Sequence, residues 1–367
     1  MTVYIITLIT SVFFAFLYSK SKRNSFFLKM LLFLSIFLPM ALRWNIGTDY
    51  KNYYEQILHD VQPALNKWGG FDIGWRPLLI FIKYFEIDIH FFFVVVSFFT
   101  LIFIFKLIDK KTAPIAILVY ICSIWLESLS PVRQYFAVAM ATYGFKLYWK
   151  EENKKGIILI ILSCLFHRSC FLFLPILIFV RPIKLSPAVI ICIFAFSWLF
   201  FHIVNVPNIL YSRVMYAMFG NASRYFSAES EYGQATRMGT GLGVLLKEFG
   251  CLPFVLFATA KTKNISMQCV HSKQYYYSMW ILYFLFVCYI WSTQITIMNR
   301  LPCLFTTYYL LAIDVLYESK NRYRKIAIYF LELIFVVIFF VNLIKNPVKT
   351  NTGMGLTPYT SIFERTY

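Results

Sequence analysis

The 367-residue sequence has few charged residues and particularly few acidic ones. Charged side chains make up 14% of the chain, whereas a soluble domain typically carries roughly 25%. Only 17 acidic residues stand against 35 basic ones, and 60% of all residues are hydrophobic. This composition excludes a water-soluble globular domain, because several apolar runs approach the ~18 to 20 residues that cross a bilayer. The sequence predicts an all-α polytopic membrane protein.

Patterns typical of a disulfide framework or a metal site are also missing. The eight cysteines lie almost all within apolar stretches, without a Cys-x-x-Cys pair or a histidine at zinc spacing. The predicted external loops contain no Asp-x-Asp sequence and no cluster of metal geometry. We therefore expect a reaction without metal ion or cofactor. Glycines 239, 241 and 243 do not fit a phosphate-binding loop and are expected to allow close helix packing.

Ten hydrophobic segments are predicted to span the membrane fully. They are residues 2–19, 26–42, 90–108, 113–127, 133–149, 186–203, 240–260, 275–291, 299–317 and 325–344. No positive charge precedes residues 2–19, and Lys20, Lys22 and Arg23 follow them. This order favours an uncleaved first span with its N-terminus outside, and not a signal peptide.

Residues 156–181 do not fit a single span. Their centre contains His167 and Arg168, and one continuous span would place the later basic loops outside, against the positive-inside rule. A hairpin of two short helices, 156–166 and 170–180, with His167 and Arg168 at membrane depth at its tip, keeps those loops in the cytoplasm. Residues 74–86 are too short and too charged to span, and they predict an interfacial or re-entrant helix with Trp75 and Tyr84 at headgroup level.

This topology gives one membrane domain, 1–367, with external loops at 43–89 and 203–239 and an external tail at 345–367. The external segments contain eight of the 13 arginines but five of the 22 lysines. The planar guanidinium suits bidentate contact with phosphate, so the external face is suited to a phosphorylated ligand. The high net charge follows from topology, and no nucleic-acid partner is expected.

The first candidate cluster follows the second span and combines Arg43, Thr48 and Asp49 with Tyr50 and Tyr53. Thr48 or Asp49 could simply cap the next helix after a turn at Gly47. The neighbouring aromatic residues instead suit stacking on sugar rings beside an acid. The two interpretations are compatible, and Asp49 is one candidate for a general base.

The second cluster contains Arg133 and Gln134. Pro131 in the first turn of a helix and Ser130 as its N-cap would place the positive helix end beside Arg133, which predicts an anion site. Alternatively, Arg133 could pair with Glu127 or extend toward the membrane surface.

His167 and Arg168 form the third cluster. An ionisable pair at membrane depth favours function, and His167 is the second candidate for the base. It could equally be a structural histidine. Asn299 and Arg300 before Pro302 repeat the arrangement of an arginine at a helix start, as does Arg237 before residues 239–243.

Taken in order, these segments resemble the EpsG-like family of Wzy-type polymerases of exopolysaccharide, capsule and O-antigen. The resemblance rests on Arg43, residues 47–50, Tyr53, residues 71–75, 133–134, 165–169, 299–300 and 357–359. The segment Asp72-Ile73-Gly74 departs from the Glu-Gly of many relatives, and residues 203–239 match no known pattern. The substrate's sugars are therefore not predicted.

The resemblance implies a bacterial inner-membrane enzyme that transfers a growing glycan from undecaprenyl pyrophosphate onto a new lipid-linked repeat. It also implies a chain-length regulator and a flippase of the same pathway as partners. The expected catalytic residues are Asp49, His167, Arg133 and Arg300. The expected substrate-binding residues are Arg43, Thr48, Tyr50, Tyr53, Arg76, Gln134, Arg168, Arg237, Asn299 and Tyr359.

Other function classes act on similar ligands. A flippase or a proton-coupled transporter should place its charges within spans, whereas here they concentrate in external loops. An acyltransferase or an O-antigen ligase also works on this face, and the sequence does not separate a ligase from a polymerase.

Overall fold

The fold is helical throughout the part of the chain that the structure, a computed structural model, describes. The described residues are 1–22, 26–59, 72–150, 152–179, 186–204, 242–254, 270–294, 300–318, 324–346, 348 and 354–365. Within them the one β-type pairing is an isolated antiparallel bridge between Arg43 and Ser361. The predicted all-α class is confirmed for these residues.

Two compact units divide the chain: Met1–Val180 with Phe335–Tyr367, and Arg181–Ile334. The first unit contains α1 (Thr2–Lys20), α2 (Phe26–Ala41), α3 (Tyr50–His59), α4 (Arg76–Tyr84), α5 (His90–Leu107), α6 (Ala113–Ser128), α7 (Val132–Trp149), α8 (Asn153–Phe166) and α9 (Phe173–Phe179). The second contains α10 (Pro187–Ile203), α11 (Leu242–Phe249), α12 (Val270–Ser292), α13 (Pro302–Phe305) and α14 (Tyr308–Glu318). The last helix, α15 (Arg324–Lys345), begins in the second unit and ends in the first.

Helix α1 has the polarity of a membrane helix. Its buried stripe is polar or small and consists of Tyr4, Thr7, Ser11 and Ala15. Its exposed face is apolar and includes Ile6, Ile9, Phe13 and Phe16. The hydroxyl of Ser11 hydrogen-bonds that of Ser35 on α2 at 2.9 Å. Small and polar residues facing neighbouring helices, with apolar residues facing outward, are typical of helices packed in lipid.

The predicted spans can be compared with the described helices. Each predicted span contains helix, and the bounds of α1, α2, α5 and α7 agree with the prediction to within one residue. Among the described residues, three helices are long and apolar enough to cross a bilayer: Thr2–Lys20, His90–Leu107 and Lys325–Lys345. The span at 299–317 is instead divided between α13 and α14. Ten full crossings therefore stay a prediction.

Helices α7 and α8 pack backbone against backbone through two glycines. A Cβ atom on Gly144 would lie 2.8 Å from the carbonyl oxygen of Gly156, and one on Gly156 would lie 2.6 Å from that of Gly144. Only glycine permits this approach, because real Cβ contacts are not that short. The close antiparallel pair places the end of α8 beside the start of α7, where Phe166 meets Phe136 at 4.9 Å between ring centroids.

The predicted break at His167 is present, and the chain turns back after it. Helix α8 ends at Phe166, His167 is extended, and a 3₁₀ turn at Arg168–Leu172 leads into α9. Phe173 then packs on Phe145, at 5.8 Å between centroids, nine residues or about 13 Å farther along α7 than Phe136. The two short helices and the break between them are thus present, and the tip lies level with the start of α7. The depth of the tip in the membrane, and the side from which the hairpin enters, stay predictions.

The first unit has two ends that are built from different segments. At one end Lys110 donates to the carbonyl of Ser21 at 2.8 Å, and Lys146 donates to the carbonyl of Leu107 at 2.7 Å. At the other end, here called the loop end, residues 42–50, 72–90, 127–135, 166–170 and 354–365 meet. Both N- and C-terminal segments lie at the loop end, since Tyr4 donates to the carbonyl of Leu356.

The predicted interfacial segment 74–86 forms a 3₁₀ turn at Ile73–Trp75 followed by α4. Tyr84 is 79% exposed, in agreement with a surface position. Trp75 is buried, and its indole N–H donates to the carbonyl of Phe166 at 2.9 Å. This hydrogen bond ties Trp75 to the hairpin, so its side chain is not at the surface of the unit, and its level in the membrane stays a prediction.

Candidate functional site

The loop between α2 and α3 is held against the turn between α6 and α7. Gly47 has φ +96°, and a Cβ atom there would lie 2.2 Å from the carbonyl oxygen of Leu129. The Thr48 hydroxyl hydrogen-bonds the Ser130 hydroxyl at 2.7 Å, and the Asp49 backbone N–H donates to the same oxygen at 3.3 Å. Ser130 was expected to cap α7, but its side chain binds this loop and α7 begins at Val132 without a side-chain cap.

Arg133 reaches back from the start of α7 toward α3. Its guanidinium carbon lies 4.6 Å from the ring centroid of Tyr53, which is also buried. The Tyr53 hydroxyl points to a carboxylate oxygen of Asp49 at 3.5 Å. Arg133, Tyr53 and Asp49 thus form one connected group. Glu127, the alternative partner of Arg133, accepts a hydrogen bond from the Tyr135 hydroxyl at 2.8 Å.

Asp72 and Arg168 join the loop before α4 to the hairpin tip. The Arg168 Nε donates to an Asp72 carboxylate oxygen at 3.1 Å. Burial raises the pKa of the Asp72 carboxyl, and this effect outweighs the lowering of the pKa by Arg133 and Arg168. Close packing fixes this contact, since a Cβ atom on Gly74 would lie 2.9 Å from the Leu165 carbonyl oxygen.

His167 is oriented by Ser169. Its Nδ1 lies 2.6 Å from the Ser169 hydroxyl and accepts the Ser169 backbone N–H at 3.3 Å. The Gln134 side-chain amide donates to the same hydroxyl at 3.4 Å. The residue pair 133–134 therefore connects the Asp49 side of the cluster to the His167 side.

Three expected substrate contacts lie in the interior of the loop end. Arg43 is fully buried, Tyr50 stacks on Phe93 at 4.2 Å between centroids, and the Tyr359 hydroxyl donates to the Pro39 carbonyl at 3.0 Å. Burial lowers the pKa of Arg43 to about 10, so it stays charged near neutral pH. Arg43 and Tyr50 are buried and Tyr359 is partly buried, and all three support the loop at 43–50.

The C-terminal segment pairs with the same loop. Backbone N–H groups of Trp44, Gly47 and Ile362 donate at 2.9 Å to the carbonyls of Thr360, Gly355 and Leu42, respectively. Beyond this pairing, Arg365 donates to Asp88 and to the Tyr54 hydroxyl, each at 2.6 Å, and lies over the Trp44 ring. The tail therefore helps to fix the position of Asp49.

Comparison with known proteins gives one match. The model of the EpsG family aligns with residues 26–361, nearly the whole chain. The chain belongs to the EpsG family. No curated protein and no solved structure matches it. The family is associated with polysaccharide polymerases, which indicates a polymerase-like role in polysaccharide biosynthesis, and the apolar helices agree with a membrane protein.

In this EpsG family member the remaining candidates lie elsewhere. Arg76 is exposed at the first residue of α4, and Arg300 is exposed in the second unit. Arg237 and Asn299 lie outside the described residues, as do glycines 239 and 241. The structure thus brings together Asp49, Thr48, Tyr53, Arg133, Gln134, His167 and Arg168.

Four residues of the cluster were not predicted as site residues: Asp72, Ser130, Ser169 and Arg365. Asp72 had one signal in the sequence, since an acid stands beside the Gly-Trp pair that carries the family resemblance. Ser130 was expected only as a helix cap, and Ser169 only as part of residues 165–169. Their partners Thr48 and Gln134, and the partner Asp88 of Arg365, are at least 35 residues distant in the sequence. Within the described residues no three His, Cys, Asp or Glu side chains lie together. The metal-free reaction stays a prediction.

Proposed function

We propose that this EpsG family member is a glycosyltransferase that extends a lipid-linked polysaccharide at the outer face of the bacterial inner membrane. The growing glycan would leave undecaprenyl pyrophosphate and join the terminal sugar of a new lipid-linked repeat. The observation that supports this best is the ion pair of Arg168 with Asp72 at 3.1 Å at the loop end, where Arg133 also acts to lower the pKa of the same carboxyl. Two guanidiniums beside an acid combine an anion site with a proton acceptor.

The chemistry of the proposed donor fits these arginines. When pyrophosphate leaves an anomeric carbon, negative charge develops on the leaving oxygen, and positioned guanidiniums stabilise that charge without a metal ion. Arg133 is held by stacking on Tyr53, so little reorganisation is needed when a phosphate arrives.

Aromatic and polar side chains next to the arginines suit a sugar. Trp44 packs edge-on to Tyr54 at 5.4 Å, Thr48 is exposed, and Asp49 is partly exposed. Sugars commonly stack on aromatic rings and hydrogen-bond to carboxylates and hydroxyls. We propose that Thr48, Asp49 and His167 contact the reacting sugars. The buried Tyr53 and Gln134 are proposed to position Asp49 and Ser169, and Arg43, Tyr50 and Tyr359 to position the loop.

The further assignments follow from the same proposal. Arg300 is proposed as a further catalytic residue, and Arg237 and Asn299 are proposed to bind substrate. The partners are the undecaprenyl-pyrophosphate-linked oligosaccharide and the bilayer, with a chain-length regulator and a flippase of the same pathway, and nucleic acid is not a partner.

Deletion of the gene tests this function against a ligase. Loss of a polymerase leaves surface glycan with a single repeat, whereas loss of a ligase leaves none, and electrophoresis of the extracted glycan separates the two. Purified protein with the lipid-linked repeat should give a ladder of products and release undecaprenyl pyrophosphate. A protein that moves the repeat across vesicles without forming a ladder would be a flippase.

A further inference from the structure

Resting on the proposed glycan transfer, the geometry points to Asp72 as the proton acceptor of the reaction. Arg168 holds this carboxylate at 3.1 Å. We propose that the donor's pyrophosphate takes over the guanidiniums of Arg133 and Arg168, and that Asp72 is thereby released to deprotonate the acceptor hydroxyl.

The first argument is that His167 presents a donor. The Ser169 backbone N–H can only donate, and it points at the Nδ1 of His167 at 3.3 Å. Nδ1 is therefore the accepting nitrogen, and the neutral ring carries its proton on Nε2. In this tautomer Nε2–H can donate a hydrogen bond to a sugar or a phosphate, but it cannot accept the proton of the acceptor hydroxyl.

The second argument is the position of Asp72 relative to the arginines. Asp72 forms a direct ion pair with Arg168, at 3.1 Å, and lies close enough to Arg133 for that guanidinium to affect its pKa. A pyrophosphate bound by both arginines would therefore lie next to Asp72, where the anomeric carbon must be.

The third argument is the environment of the carboxyl group. The Asp72 side chain is 11% exposed, whereas Arg168 is 54% exposed and open to an incoming anion. The charged and titratable groups that face Asp72 are Arg133 on α7, and Arg168 and Cys170 on the 3₁₀ turn. Burial already raises the pKa of Asp72, and neutralisation of the two arginines by pyrophosphate would raise it further. A carboxylate with a raised pKa is a stronger base.

The proposed step is balanced. The acceptor hydroxyl oxygen forms a bond to the donor's anomeric carbon, and the bond from that carbon to the pyrophosphate oxygen breaks. The pyrophosphate keeps the electron pair, and the hydroxyl proton passes to a carboxylate oxygen of Asp72. Release of undecaprenyl pyrophosphate then lets Arg168 return to Asp72 once the proton has left.

The test compares Asp72→Asn, Asp49→Asn and His167→Gln in purified protein. Turnover of the lipid-linked repeat and binding of undecaprenyl pyrophosphate in detergent are measured separately. Asp72→Asn should lower turnover by about 100-fold or more, as expected for loss of a general base. It should keep or tighten binding of undecaprenyl pyrophosphate, because a neutral amide no longer competes for Arg168. The other two variants should retain more turnover.

Turnover of Asp72→Asn close to that of the parent would overturn the proposal. So would a folded Asp72→Asn protein that loses binding and turnover together, since that result marks a structural role. If this variant is not inserted at the parental level, Asp72→Glu decides. This variant should polymerise, and its turnover should fall on the acidic side of the pH profile at a different pH from that of the parent. An unchanged pH profile would contradict Asp72 as the base. Failure of the parent to form a ladder would instead remove the proposed function itself.

Discussion

The guanidinium carbon of Arg133 lies 4.6 Å above the ring centroid of Tyr53, and both side chains are buried. Stacking of this kind fixes the plane of the guanidinium, which a flexible ammonium group cannot imitate. This contact joins α7 to α3. The Tyr53 hydroxyl also donates a hydrogen bond to Asp49, which orients that carboxylate.

Replacement of Arg133 by lysine should therefore lower polymerisation by about 100-fold although the charge is kept, because two parallel hydrogen bonds to phosphate and the stacking are lost. The measurement is polymer formation by the purified variant.

Arg322→Lys, in a loop predicted to be cytoplasmic, serves as the control and should behave as the parent. Arg300→Lys applies the same exchange to the second unit, with loss of most activity expected. Full polymer from both Arg133→Lys and Arg300→Lys would remove these arginines from the mechanism.

Gly47→Ala should disrupt the loop at 43–50. The left-handed backbone alone costs an alanine about 1–2 kcal/mol, and its Cβ atom would overlap the Leu129 carbonyl oxygen at 2.2 Å. We expect a lower melting temperature together with loss of activity.

Gly355→Ala is the matched control. Gly355 also has a positive φ, +60°, but the nearest atom to an added Cβ lies 3.5 Å away. This variant should be clearly less affected than Gly47→Ala. Equal melting temperatures for the two variants would show that contact with Leu129 does not constrain the loop.

The ion pair of Asp88 with Arg365 should make anchoring of the tail dependent on pH. Burial acts to raise the pKa of Asp88, but the His90 backbone N–H and Arg365 outweigh it and leave the pKa below its usual value. A depressed folded-state pKa means that the stabilisation is present above the unfolded pKa and is lost as pH falls through the folded value. The difference in melting temperature between the parent and Asp88→Asn should therefore shrink below about pH 4. A difference independent of pH would argue against this ion pair.

The topology is tested by single cysteines introduced at positions 184 and 322. Both positions are predicted to be cytoplasmic, since the hairpin at 156–181 enters and leaves from that side. An impermeant thiol reagent should leave them unlabelled in intact spheroplasts and label them after permeabilisation. A cysteine at position 52, in the predicted external loop, is the positive control. Labelling at 184 and 322 in intact spheroplasts would show that residues 156–181 cross the membrane.

The sequence by itself determined the helical class, the positions of the helices and the break at His167. These features depend on local composition, since apolar runs specify helices in a bilayer and His167-Arg168 interrupts one of them. It also singled out Asp49, Arg133 and His167 as candidates, because polar residues are rare in such a chain, and their roles stay predictions.

Only the tertiary structure decided how these residues are combined. The ion pair of Asp72 with Arg168 joins positions 96 residues apart, and the contact of Arg365 with Asp88 joins positions 277 apart. Burial of Arg43 and Trp75 likewise depends on which helices pack together, here through the backbone contact of Gly144 with Gly156. Periodicity along one helix does not specify which helices pack against it. Charge and aromatic content therefore predicted the loop end, but helix packing determined which side chains contact one another there.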